Sequence, residues 1–185
     1  MRRFMAPMSI ALWALSTPLA AQSALTVGLA ATLGDGWQIE GADVGLVRPL
    51  RLGPLRHWTA VGRIGSFIDQ ASFIGGQRGV LGGLALGVRT ASGTLAEIGT
   101  DPDVTRIAVD VTVEAAGYLA ANSPLPHGSS WVAAAVLPAI RIGDPNTTHF
   151  TAMVGPAWFL GPEADVRVFF GVRAEVPLAP RRPAP

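Results

Sequence analysis

From Ala24 to Val176 apolar positions alternate with small or polar ones, in short runs separated by clusters of Gly, Pro, Asp, Asn and Ser. A period of two belongs to a strand, whose successive side chains fall on opposite faces, and the clusters are turn formers. Eight runs are predicted, at about Ala24 to Leu33, Trp37 to Leu50, His57 to Ile68, Gly79 to Arg89, Thr105 to Ala115, Trp131 to Ile142, Phe150 to Leu160 and Asp165 to Val176. The fifth is the clearest: Ile107, Val109, Val111, Val113 and Ala115 alternate with Arg106, Ala108, Asp110, Thr112 and Glu114. A helix cannot sort residues in that way.

The character of the two faces decides the architecture. One is continuously Val, Ile, Leu, Ala, Phe and Trp; the other is mostly Gly, Ala and Thr with scattered Arg, Asp and Glu. A soluble barrel or sandwich needs a wet outer face rich in charged and amide side chains, and Gly28, Ala30, Ala133, Ala135, Ala139 and Ala157 do not supply one. They suit a crowded interior. The pattern therefore predicts an all-β, antiparallel up-and-down transmembrane β-barrel of eight strands, with its apolar face on lipid and its small and polar face filling a narrow lumen. Most runs have the length that a tilted strand needs to cross a bilayer, and the strand count is even. Trp37, Trp58, Trp131 and Trp158 fall at or near run ends, where aromatic girdles sit in such barrels. Pro138 and Pro156 fall inside runs, where bulges are expected.

Composition narrows the picture. The 185 residues include no Cys, which excludes disulfide scaffolds and thiolate metal sites, and 14 Arg with no Lys nearly balance 13 acids. No strong field is available to attract nucleic acid. Residues 1–21 read as a secretion signal: Arg2 and Arg3, the apolar run Met8 to Leu15, then small residues up to Ala21. That run is too short to span a bilayer as a helix. Residues 22–176 then form one barrel domain, and 177–185 (PLAPRRPAP) a Pro-rich tail that can neither pair in a sheet nor continue a helix.

An eight-stranded barrel has an interior that side chains just fill, so no wide pore is expected. Arg63, Arg89, Arg106, Asp110, Glu114, Arg141, Arg167, Arg173 and Glu175 all project to the lumen side of their runs. Buried charges must pair, so these nine predict a salt-bridge network filling the barrel, with a proton or ion relay as the sharper alternative. His57, His127 and His149 show no metal-ligand spacing, Asp101-Pro102-Asp103 and Asp144-Pro145-Asn146 read as turns, and no cofactor motif is visible. Recognition would fall to the loops Asp69 to Arg78, Thr90 to Asp103 and Leu119 to Ser130.

With its signal, eight alternating runs, Gly-rich strands and lack of Cys, the chain resembles the small eight-stranded outer-membrane barrels of Gram-negative bacteria, of the OmpA and OmpX type. The resemblance covers about Ala24 to Val176. It implies a monomer in the outer membrane, in contact with lipid and folded by the barrel-insertion machinery, with a structural or surface-recognition role and no enzymatic activity. Members commonly close with a C-terminal aromatic residue, whereas this chain ends in Val176 and the Pro tail. Two other readings stay open. A soluble periplasmic or secreted β-barrel binding an apolar ligand would bury Val109, Val111, Val168 and Phe170. A lipid-modifying enzyme is suggested by His127-Gly128-Ser129, which matches the His-x-Ser spacing of outer-membrane lipid A deacylases.

Overall fold

The structure, a computed structural model, describes residues 23–34, 36–50, 53–55, 57–70, 77–100, 103–120, 130–144, 147–160 and 165–178. The expected secretion signal, the His127-Gly128-Ser129 motif and most of the tail lie outside these residues, as do most of the loops Asp69 to Arg78 and Leu119 to Ser130.

Nine strands are present among the described residues: β1 (Ala24–Leu33), β2 (Gln38–Pro49), β3 (Thr59–Gln70), β4 (Gln77–Arg89), β5 (Gly93–Thr100), β6 (Asp103–Ala120), β7 (Ser130–Gly143), β8 (His149–Leu160) and β9 (Asp165–Pro177). Eight of them close an antiparallel barrel. Neighbours run in the order β4-β3-β2-β1-β9-β8-β7-β6, and β6 returns to β4 through pairs from Leu81 with Ala120 to Arg89 with Thr112. The first and last strands meet in the wall: β1 pairs with β9, and Leu178 N–H donates to the Ser23 carbonyl at 2.8 Å. One row of partners runs Leu81, Phe67, Gly41, Ala30, Gly171, Met153, Ala139, Asp110. It reaches β6 ten residues short of Ala120, the residue that Leu81 itself faces. That stagger requires a strand tilt of about 40°.

The faces sort as the alternation predicts. Leu25, Val27 and Leu29 on β1, Ile140 and Ile142 on β7, and Val166, Val168, Phe170, Val172 and Val176 on β9 point outward and are exposed. Thr26, Ala30, Asp43, Arg63, Ala133, Ala135 and Arg173 point inward and are buried.

Three features differ from expectation. The stretch Thr90 to Asp103 is not a loop: β5 continues the line of β4 along the first half of β6, from Gly93 opposite Val109 to Thr100 opposite Asp103, with a bulge between Thr94 and Ala96. The resulting hairpin projects at the barrel end where β1 begins and β9 ends, and β5 is exposed throughout. Too few apolar residues mark it for period-two reading. Trp37 and Trp131 do not form a girdle either, because both are buried in the lumen; Trp158 alone of the strand tryptophans points outward.

Pro138 and Pro156, finally, sit at no bulge on their shared seam. Pairing of β7 with β8 lapses between Ala135/Ala157 and Ala139/Met153, and resumes in the same register. Pairing of β7 with β6 and of β8 with β9 runs unbroken past both prolines. Both missing donors therefore face the one seam, and the defect is a local gap in the ladder. Gly155 lies in this gap, where a Cβ would collide with the Val136 carbonyl.

Candidate functional site: the lumen

The inner face is built from large side chains set opposite small ones. Arg63 faces Gly45 on β2 and Ala85 on β4; Glu114 faces Gly87 on β4 and Ala135 on β7; Asp43 faces Gly28 and Gly65. Arg173 lies across Gly28, and a Cβ there would collide with its side chain. A Cβ on Gly45 would sit 2.8 Å from Arg63 Cγ, and one on Gly87 would sit 2.7 Å from Glu114 Cβ. The glycines on this face are thus the space into which the charged side chains fold.

Those side chains form two neutral clusters. In the first, Arg63 bridges Asp43 (2.6 Å) and Glu114, while Arg173 grips Asp43 through Nε (3.1 Å) and Nη2 (2.9 Å) and also donates to Met153 Sδ. Towards the end where β1 begins and β9 ends, Arg89 binds Glu175 through Nη1 (2.5 Å) and Nη2 (3.2 Å), and Arg141 pairs with Asp110. Thr151 donates to Glu175 at 3.0 Å, and His149 Nε2 lies 3.5 Å from its other oxygen. Two arginines meet two acids in each cluster, which is what burial of charge demands. The planar guanidinium presents its donors to two acceptors in a fixed fork, a geometry that the compact ammonium of lysine does not supply.

At the opposite end the lumen is closed by aromatic rings. Trp37 and Trp131 lie 4.5 Å apart, Phe159 meets Trp37 edge-on at 5.0 Å, and Tyr118 meets Phe67 edge-on at 5.4 Å. Arg167 lies 3.8 Å over the Trp37 ring, donates to the Trp37 carbonyl at 2.6 Å and pairs with Asp165 at 2.5 Å. Beside Asp43, Arg63 and Tyr118 lies a void of about 10 Å³, room for one water.

Eight of the nine arginines and acids assigned to the lumen by alternation line it. Arg106 does not: it stands on the projecting half of β6, 41% exposed, paired with Glu97 of β5 at 2.7 Å. Alternation fixes its face but not where the barrel ends. Asp43, which holds two arginines, is not among the nine: its role depends on Arg63 and Arg173, which come from strands distant in sequence.

The described residues contain no cluster placed to hold a metal ion. Thr151, Glu175 and His149 come nearest to a hydroxyl, acid and base set. The hydroxyl, however, donates to the carboxylate and not to the imidazole, and all three are buried. Nothing there activates a nucleophile. No helix among the described residues is long and apolar enough to cross a membrane, which has no bearing on strands. No family model matches the chain, and no curated protein or solved structure matches it either.

Proposed function

We propose that the barrel spans the outer membrane as a monomer, after removal of its secretion signal, and has a structural or surface-recognition role without enzymatic activity or a wide pore. The supporting observation is the inversion of its faces: ion pairs and aromatic rings inside, an apolar wall outside. Leu29, near the middle of β1, is 68% exposed, and such a wall is costly in water and favourable in hydrocarbon. Lipid is then the principal partner, and the insertion machinery acts during assembly. Leu29→Arg tests the reading. In lipid the substitution costs about 2–4 kcal/mol and lowers the yield of folded, membrane-inserted protein. An unchanged yield would mean that water bathes the wall.

A second reading, a soluble periplasmic or secreted barrel that takes an apolar ligand, is favoured by a groove of about 580 Å³ on the outer wall. Such a protein would accept Leu29→Arg without loss.

A further inference from the structure

The barrel end where β1 begins and β9 ends divides its charge between two halves. Ala24 pairs with Val47 on one side and with Pro177 on the other, so the β2–β3 turn and the segment after β9 leave the wall two strands apart, about 10 Å. Residues 48–58 carry Arg48, Arg51 and Arg56, residues 177–185 carry Arg181 and Arg182, and neither segment contains an acid. The other half of this end is built by β5 to β8. Its connecting segments, residues 90–106 and 143–149, carry Glu97, Asp101, Asp103 and Asp144 against Arg106 alone. One half is basic throughout, the other predominantly acidic.

The basic half stands at the edge of the apolar wall. Val176, Leu25 and Leu46 form one outward row, in which Val176 and Leu25 are exposed, and Arg48 follows Leu46 on the same face. The turn above is closed: Leu50 N–H donates to the Trp58 carbonyl at 2.8 Å, and Trp58 N–H to the Leu55 carbonyl at 2.9 Å. Arg51 follows Leu50 and Arg56 follows Leu55, so chain connectivity keeps both arginines at this edge. Leu55 and Leu178, on the same half, are exposed. Arginines set over exposed leucine and valine match the plan of a phospholipid, whose phosphate sits directly above its acyl chains.

We propose that this basic half binds the phosphate head group of an anionic phospholipid, whose acyl chains lie against Leu25 and Val176. The apolar row below the arginines favours a lipid over a soluble phosphate or a nucleic acid, since neither of those gains anything from it.

The test uses the full mature chain in micelles of dodecyl maltoside, an uncharged detergent. Phosphatidylglycerol and phosphatidylcholine of equal chain length are titrated in, and bound lipid is counted by native mass spectrometry. The expected result is saturable binding of phosphatidylglycerol about tenfold tighter than phosphatidylcholine, a preference that shrinks as salt is raised. Replacing Arg51, Arg56, Arg181 and Arg182 together by Gln should erase the preference while strand content by circular dichroism is unchanged. Arg106→Gln, on the acidic half, should leave it intact. Equal binding of the two lipids, a preference that survives the fourfold replacement, or an equal loss on Arg106→Gln would overturn the proposal. The inference rests on the membrane reading, yet selectivity in micelles is measured whether or not the wall meets a bilayer in the cell, so it fails separately from the Leu29→Arg test.

Discussion

Asp43 illustrates how a single residue governs the lumen. Its two oxygens are gripped by Arg63 and Arg173, which reach it from β3 and β9. Asp43→Ala would strand two buried guanidinium groups beside one remaining acid, Glu114, with an expected loss of about 3–5 kcal/mol in urea titrations of the folded barrel. Gly28→Val acts on the same cluster from the other side. It drives a side chain into Arg173 and should cost about 1–3 kcal/mol, read from the same titration. An unchanged midpoint in both variants would show that the cluster does not hold the barrel together. Inward direction is legible for most of these residues because period two fixes it locally. Partnership is not: Arg89 meets Glu175 across 86 positions of sequence, and only closure of the wall brings them together.

At the scale of elements, the strongly alternating run Asp165 to Val176 emerges as β9 with little change of boundary, whereas Thr105 to Ala115 is the middle of a longer strand, Asp103–Ala120. The hairpin extension escapes such reading because β5 packs chiefly against β6 and is exposed throughout, so no buried face imposes a pattern on Gly93 to Thr100. The same isolation predicts that Leu95→Ser together with Ile98→Ser, both exposed, changes barrel stability by less than about 0.5 kcal/mol. A larger loss in the urea titration would mean that β5 supports the wall. The β7–β8 seam makes the opposite prediction. With three successive pairs missing around Pro138 and Pro156, amides of Val136 and Val154 should exchange with deuterium about tenfold faster than those of Val168 and Val172 on β9. Equal protection would show that the gap is closed in solution. Pro is visible in any sequence, but whether it falls at a bulge or leaves a gap depends on which neighbour its missing donor would have faced.

For the whole molecule, closure of eight strands at a stagger of ten residues sets a lumen that arginine, tryptophan and phenylalanine side chains fill. On the proposed reading no wide aqueous path runs through the lumen, and purified barrel added to a planar bilayer should give no porin-like conductance steps. The eight-stranded antiparallel barrel was legible because two chemically distinct faces persist along most of the chain. The lumen's aromatic end was not, since Trp37 and Trp131 at run ends fit a girdle as well as an interior, and only the three-dimensional neighbours Phe159 and Tyr118 distinguish them. Whether the apolar wall faces lipid is tested most directly by fractionating cells that express the chain and running the protein on a gel with and without boiling. Recovery in the outer-membrane fraction, dependence on detergent and a heat-induced change in mobility are the predicted result. A protein free in the periplasmic extract would contradict it and turn the outer groove into the ligand site of a soluble barrel.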